Sequence, residues 1–144
     1  MVKMLHEVRV NATPAKVFAA LTTSEGLRAW WTGDSVAEPR VGSIAIFGFS
    51  NRATVFRMRV SELVANERVG WECLGDAEEW RGTKLAWDIT PEKKKAATVR
   101  LVHGGWKNTE GWYAVCNTTW GALMHRLRDH LEGHAPGPIF KGFI

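Results

Sequence analysis

The sequence predicts an α+β fold in which an antiparallel β-sheet of about six or seven strands is covered on one face by a long C-terminal helix. Between residues 34 and 104, segments that alternate apolar and polar side chains are separated by short turn signals. This pattern is typical of hairpin-connected strands with one dry and one solvated face. Residues 112–131 instead place apolar side chains every three or four positions, as an amphipathic helix does.

Composition and charge narrow the class of protein. Of the 144 residues, 45% are apolar and 24% are charged, which is ordinary for a globular chain and excludes collagen, coiled coil and complete disorder. No apolar run approaches the ~20 residues of a membrane span, and the N-terminus lacks the apolar core of a secretory signal. The net charge is +4, but the basic residues are scattered, which does not indicate a nucleic-acid surface. We therefore expect a cytoplasmic protein that neither inserts into membranes nor binds nucleic acid.

The N-terminal part predicts one strand followed by two short helices. Residues 3–10 alternate apolar and polar side chains, as a half-buried strand does. Thr13-Pro14 then supplies an N-cap and a first helical residue. A second short helix is predicted from Thr23 or Ser24 to Trp31. Both helices are brief, so packing against the rest of the protein must stabilise them.

The same alternation predicts further strands at 43–49, 53–63, 68–73, 84–89 and 97–103. Their short connections imply antiparallel pairing between neighbours in the chain. We place a polar loop at 74–81 and a turn at 90–94. The strand at 43–49 is a candidate for an unpaired edge that would support a homodimer.

The C-terminal helix is predicted to begin at Asn108 or Thr109 and to end at Gly133, which gives a length of ~33–36 Å. Such a helix is long enough to cross a whole domain. Residues 135–144 contain prolines and glycines and are interpreted as a tail. We therefore expect a single domain over 1–134 and a C-terminal tail over 135–144, whose apolar residues could dock on the body or on a partner.

Several stretches of the chain carry a pattern that points to a family. Val17–Trp31 has V-F-x-A-L-T followed by L-x-x-W-W, Val60–Cys73 has V-x-E-L followed by E-R-V-x-W, and Thr83–Thr90 has T-x-L-x-W-x-I. The predicted terminal helix carries Trp120, Leu123, Leu127 and Leu131 before Glu132-Gly133. These four stretches, taken in this order, resemble the activator of heat-shock protein 90 ATPase homologue-like family. The resemblance covers about residues 3–134.

That family belongs to the START/polyketide cyclase (SRPBCC) superfamily, and the resemblance implies its helix-grip, Bet v 1-like fold. In that fold the sheet curls around the long helix, and a cavity often lies between them. Members of the superfamily bind lipids, sterols, polyketides or other apolar compounds. The resemblance therefore implies a carrier or sensor of a small apolar molecule.

The residues alone leave open whether the interior is a filled core or a lined cavity, because both need the same apolar faces. The resemblance favours a cavity. Its predicted lining consists of Phe47, Phe56, Met58, Trp71, Cys73, Trp87, Leu101, His103, Trp112, Cys116 and Trp120. The chain has 8 Trp but only 1 Tyr, which predicts a flat or aliphatic, weakly polar ligand. Polar contacts to it would come from indole N–H groups, Thr54, Thr119, His6 and His103.

Two other functions stay open. One is a co-chaperone-like interaction module that uses Trp30-Trp31, Trp106 or the apolar tail as its contact surface. The other is an enzyme of the cyclase or hydrolase type that uses His6 or His103 as its polar group.

No sequence motif for a cofactor, a metal or a nucleophile is found. The chain lacks a P-loop, G-x-G-x-x-G, H-E-x-x-H, C-x-x-C and G-x-S-x-G. The nearest metal-like string is His130-Leu131-Glu132-Gly133-His134, but its glycine falls at the predicted helix end. We therefore name no catalytic residue, metal ligand or cofactor.

Overall fold

The computed structural model describes residues 1–75 and 77–139. Its strands are β1 Val2–Val10, β2 Asp34–Val36, β3 Ile44–Phe49, β4 Thr54–Val64, β5 Arg68–Leu74, β6 Lys84–Glu92 and β7 Ala96–Trp106. Its helices are α1 Pro14–Thr22, α2 Ser24–Trp30 and α3 Tyr113–Leu131. None of the helices in the described part of the chain is long and apolar enough to span a bilayer.

The strands form one antiparallel sheet in the order β1-β7-β6-β5-β4-β3-β2. Consecutive strands from β2 to β7 pair with each other, whereas β1 pairs with the last strand, so that Val8 lies opposite Val99. The chain therefore crosses from one edge of the sheet to the other directly after β1, and α1 and α2 occupy this crossing. This arrangement confirms the predicted α+β, helix-grip fold.

The helix starts of α1 and α2 follow from their capping residues. The backbone N–H of Lys16 donates to Thr13 Oγ1 at 3.3 Å, and Pro14 is the first residue of α1. Thr23 Oγ1 accepts the backbone N–H of Gly26 at 3.0 Å and so caps α2. Both starts were predicted from the sequence.

The predicted edge at 43–49 is wrong because a short strand covers it. Over its three residues, β2 pairs with β3, so that Ser35 lies opposite Phe47. On the other side β3 pairs with β4, where Phe47 lies opposite Phe56. Alternation cannot be recognised in three residues, which is why β2 was missed.

The turn predicted at 90–94 lies later in the chain. Pro91 belongs to β6 and lies opposite Ala97, while the positive φ angles of the turn fall at Lys94 and Lys95. Pairing of β5 with β6 ends at Asp88, so β6 has one neighbouring strand at Pro91. A proline without an N–H is tolerated at such an edge position.

The start of α3 also lies later than predicted. The side chain of Asn108 accepts the backbone N–H of residue 110 at 2.8 Å, and Gly111 follows with a φ of 63°. These residues form a turn rather than the first turn of the helix, which begins at Tyr113. At 19 residues, α3 is ~28 Å long rather than ~33–36 Å.

The outer face of the sheet is solvated and carries ion pairs between strands. The Arg68 guanidinium donates to Glu62 at 2.6 Å and also to Asp88. Both hydrogen bonds raise the pKa of Arg68. The opposite face packs against the helices and contains the apolar core.

Candidate functional site

Aromatic rings fill most of the space between the sheet and α3. Trp31 lies at the centre of this cluster, with its ring centroid 4.3 Å from that of Phe47 and 5.1 Å from that of Trp120. Trp87 meets Trp120 edge to face at 5.7 Å. Offset and edge-to-face geometries of this kind are the favourable ones for aromatic pairs. Over most of its extent, therefore, the interior is packed solid.

Among the residues that the structure describes, a cavity of about 220 Å³ lies between the sheet and the first half of α3. Its wall is made by the end of α2, by β3 and β4, by the loop that follows β5 and by the first half of α3. The lining residues are Trp31, Phe49, Thr54, Phe56, Trp80, Val115, Cys116, Thr119, Trp120 and Leu123. None of these side chains is charged, so the cavity favours an apolar guest.

Two stacked rings form one wall of the cavity. Phe56 and Trp80 lie 3.9 Å apart between ring centroids with their planes 5° from parallel. Trp80 in turn lies 6.1 Å from Trp120 of α3. Val115 is 71% exposed and marks the open side, so the cavity has a mouth to solvent.

The residues predicted to bind a ligand fall into three groups. Phe56, Cys116 and Trp120 line the cavity, as do the threonines at 54 and 119. Trp112 is 41% exposed and lies in a neighbouring surface pocket, which shares Thr54 with the cavity. The others are buried in the packed core and are not part of the lining: Phe47, Met58, Trp71, Cys73, Trp87, Leu101 and His103.

Half of the lining was not predicted from the sequence, namely Trp31, Phe49, Trp80, Val115 and Leu123. Trp80 is the most instructive of these, because it lies in a segment interpreted as a polar loop. A single large aromatic residue between charged neighbours, here Glu79 and Arg81, is the sequence signal that could have identified it.

His103 is buried and makes two hydrogen bonds. The indole N–H of Trp120 donates to His103 Nδ1 at 3.2 Å, and His103 Nε2 lies 2.9 Å from Thr83 Oγ1. The Thr83 hydroxyl itself donates to the Trp80 carbonyl at 2.6 Å, so its oxygen accepts the Nε2 proton. Burial lowers the pKa of His103 to about 3. The ring is therefore neutral, with neither nitrogen free for a substrate.

His6 does not reach the cavity either. Its Nε2 lies 2.9 Å from the side-chain oxygen of Asn117 on α3, and it is absent from the lining. Neither histidine that the enzyme alternative named therefore lies in the cavity lining. Within residues 1–75 and 77–139, no three His, Cys, Asp or Glu side chains converge as metal ligands would.

Both cysteines are free thiols held in the neutral form. Burial raises the pKa of Cys73 to about 12. Burial also raises the pKa of Cys116. A hydrogen bond from the Trp80 indole opposes this increase, and the negative charge of Glu79 adds to it. A thiol with a raised pKa is a poor nucleophile, so Cys116 contributes an uncharged sulfur to the cavity wall.

The tryptophans proposed as a contact surface are buried. Trp30, Trp31 and Trp106 are at most 3% exposed, so they cannot meet a partner in this conformation. The start of the tail lies on the body, where Arg126 donates to the Pro136 carbonyl at 2.9 Å. The apolar tail residues Phe140, Phe143 and Ile144 lie outside the described residues.

Comparison with solved structures shows the same fold in proteins from several organisms. The solution structure of the Aha1 dimer from Colwellia psychrerythraea is 34% identical, with a TM-score of 0.84 over 92% of this chain and 98% of that one. A protein from Bacillus halodurans is 20% identical, with a TM-score of 0.75 over 92% of this chain and 98% of that one. An AHSA1-like protein from Aeromonas hydrophila is 12% identical, with a TM-score of 0.73 over 92% and 94%. The last two support the fold alone.

No curated protein sequence gives a significant match to the chain. Residues 11–132, however, match the profile of the family described as "Activator of Hsp90 ATPase homolog 1-like protein". This match covers most of the chain and confirms the resemblance inferred from the motifs. The chain therefore belongs to the Activator of Hsp90 ATPase homolog 1-like protein family, within the SRPBCC superfamily.

Proposed function

We propose that the protein binds one small apolar molecule in the cavity between its sheet and α3, as a carrier or sensor. The observation that supports this proposal is the 220 Å³ cavity, left open among rings that otherwise pack in contact. Small-molecule sites are concave and mostly apolar. A pocket with uncharged walls and a mouth to solvent, set into a core that is otherwise densely packed, has this form.

The volume of the cavity narrows the class of ligand. A cavity of ~150 Å³ lined by apolar side chains holds benzene, whereas pockets for drug-sized molecules measure ~300–1,000 Å³. At about 220 Å³, this cavity suits a compound with one or two rings. It favours such a compound over the sterols, long-chain lipids and multi-ring polyketides that the superfamily also suggests.

The proposal is tested by titrating the protein with naphthalene, palmitate and cholesterol. We expect naphthalene to bind, and to stabilise the fold by ~2.7 kcal/mol at a concentration one hundred times its Kd. We expect palmitate and cholesterol to bind at least tenfold more weakly, because they exceed the cavity.

A cavity-filling variant provides the control for the site. Cys116→Trp places an indole into the cavity and should abolish naphthalene binding, whereas Ala122→Trp on the exposed face of α3 should not. Undiminished binding in Cys116→Trp would show that the ligand binds elsewhere, and no binding to the unmodified protein would refute the proposal.

We place this role in the cytoplasm. Two free thiols, one of them buried, suit a reducing compartment, in which disulfides are rare.

We infer a homodimer as a second candidate property. The 34% identical protein from Colwellia psychrerythraea is described as a dimer. In this chain, Val115 and Trp112 expose apolar surface next to the cavity mouth, at 71% and 41%. Light scattering on a sizing column should give twice the chain mass, and Val115→Lys should give a monomer while Leu5→Lys on β1 should not. A monomeric unmodified protein would contradict this inference and leave the ligand proposal intact.

A further inference from the structure

A second pocket, here called the outer pocket, adjoins the cavity. It measures about 310 Å³ and is lined by Ala53, Thr54, Val55, Ala77, Glu78 and Trp112. It shares Thr54 with the cavity, and the ring of Phe56 in the cavity wall meets that of Trp112 at 6.4 Å with the planes 69° apart. A guest whose rings occupy the cavity can therefore place a short substituent in the outer pocket.

Glu78 gives the outer pocket a negative charge. In the described part of the chain, it is the only charged residue in the lining of either pocket. Glu78 is exposed, and its carboxylate makes no hydrogen bond or ion pair with any other residue that the structure describes. Within these residues, then, no cation of the protein neutralises the charge of the outer pocket.

The charged neighbours of Glu78 maintain this negative potential. Arg81 in the same loop donates to the Gly75 carbonyl at 2.7 Å and lines neither pocket. Glu79 accepts the backbone N–H of Trp112 at 3.0 Å, and its charge adds to the effect of burial in raising the pKa of the Cys116 thiol. The negative potential of the loop thus reaches the cavity wall, which disfavours an anionic guest and favours a cationic one.

The indole of Trp112 is a second group that attracts cations. It is 41% exposed, whereas the other tryptophans are at most 4% exposed. A cation that lies over the face of an indole is attracted by the negative charge of that face. A carboxylate and an accessible indole in one lining therefore suit an ammonium group better than an uncharged or anionic one.

We infer that the ligand is an arylalkylamine, a compound of one or two aromatic rings that carries a primary ammonium group on a short alkyl chain. Its rings occupy the cavity, and its ammonium group lies in the outer pocket, where it pairs with Glu78 and contacts the ring of Trp112. Because the outer pocket is open to solvent, the ammonium group is not buried and avoids the cost of desolvating a charge. This inference rests on the proposed function and specifies the ligand class of the same site.

The test compares two compounds of nearly the same shape. 2-(1-Naphthyl)ethylamine carries an ammonium group where 1-propylnaphthalene carries a methyl group, so only the amine can pair with a carboxylate. Their dissociation constants are measured by calorimetry for the unmodified protein, for Glu78→Gln and for Glu110→Gln. Glu110 is exposed and lies outside both linings, so its variant is the matched control for the loss of one negative charge.

We expect the ratio of the amine Kd to the 1-propylnaphthalene Kd to rise about threefold in Glu78→Gln and to stay unchanged in Glu110→Gln. A solvent-exposed ion pair changes affinity by roughly one-and-a-half- to fivefold, and any change in pocket shape affects both compounds and cancels in the ratio. Added salt should weaken the binding of the amine without weakening that of 1-propylnaphthalene. A ratio that Glu78→Gln leaves unchanged would overturn the inference.

A variant of the cavity shows where the rings of the amine lie. Cys116→Trp should abolish binding of the amine, as it should for naphthalene, because both place their rings in the cavity. Amine binding that survives this substitution would overturn the inference, as would an anion, 3-(1-naphthyl)propanoate, that binds as tightly as the amine. In either case, naphthalene binding would still uphold the proposed function. If naphthalene, the amine and 1-propylnaphthalene all fail to bind, both proposals are refuted.

Discussion

His103 is kept neutral by burial, while two hydrogen bonds fix its proton on Nε2. In the folded protein its pKa is about 3, against an ordinary value of 6.5. Between these values the unfolded chain binds a proton that the folded chain does not, so acid favours unfolding. The contribution of His103 to stability is therefore fully present above pH 6.5 and decreases as the pH falls toward 3.

Because of His103, the free energy of unfolding should decrease by about 1 kcal/mol for each pH unit as the pH is lowered from 6 to 4. Urea denaturation at several pH values measures the slope. His103→Gln should flatten it, because an amide does not titrate, whereas His125→Gln at an exposed position of α3 should keep it. Parallel curves for His103→Gln and the unmodified protein would contradict this account.

The sequence could predict that His103 lies on the dry face of a strand, because alternation shows the face. It could not predict the role of the side chain. Both of its partners, Thr83 and Trp120, come from other parts of the chain, and only the packed structure brings them to its two nitrogens.

At the scale of elements, the glycines of α2 and α3 have opposite roles. A Cβ atom at Gly26 would lie 2.5 Å from the Ala19 carbonyl oxygen and 2.6 Å from the Ala20 Cα, so α1 and α2 approach as closely as a glycine permits. A Cβ atom at Gly121 would find its nearest neighbour, the Cε1 of His6, at 3.9 Å, which is an ordinary contact.

Gly26→Ala should destabilise the protein by about 1–2 kcal/mol. Alanine is the better helix former by about 1 kcal/mol, but overpacking against rigid backbone costs about 1–3 kcal/mol, and the two close contacts put this site at the upper end. The urea midpoint should fall with an unchanged slope. A rise in the midpoint would mean that the two helices can separate at little cost.

Gly121→Ala should instead stabilise the protein by about 0.5–1 kcal/mol. The new methyl group meets ordinary contacts and improves helix propensity in the middle of α3. The same urea titration measures the effect, and a loss of stability would show that the contact with β1 needs the glycine.

Element boundaries show where local signals suffice. The starts of α1 and α2 were predicted because the threonine caps at 13 and 23 are local features of the sequence. The start of α3 was placed too early, because the turn at Asn108 depends on a side chain bonding its own backbone two residues later. Such a side chain fits a helix cap and a turn equally well.

At the scale of the whole molecule, the architecture could be predicted but the cavity could not. Alternation in the strands and the three-to-four spacing in the helix fix which faces meet. The volume left between those faces depends on how many large rings pack together in three dimensions. The loop after β5 turns Trp80 inward, where it forms part of the cavity wall. The apolar residues of that loop follow no periodic pattern, so the pattern does not predict this wall.

The topology of the sheet also predicts the order of folding. Pairing of β1 with β7 joins residues as distant as Val8 and Val99, whereas β4 and β5 are joined by a tight turn. Closing a longer loop costs more entropy, so the central hairpins should form first. We expect refolding in milliseconds to seconds.

Two core substitutions test that order by stopped-flow fluorescence. Val69→Ala in β5 should slow refolding, while Val8→Ala in β1 should mainly accelerate unfolding. Both side chains are buried, so each loss is large enough to measure. The reverse assignment of the two effects would show that the sheet closes through β1 early.

The closeness of the aromatic rings has an optical consequence. Trp31, Trp80 and Trp87 each lie within about 6 Å of Trp120, between 5.1 and 6.1 Å. Ultraviolet excitation absorbed by one of these rings can pass to the next before it is emitted, so the group emits as a coupled set. A bound quencher that contacts only the tryptophans of the cavity wall would therefore also reduce the fluorescence excited at Trp87, which lies outside the wall. Binding of a small quenching ligand in the cavity can thus be measured from the tryptophan fluorescence of the unlabelled protein.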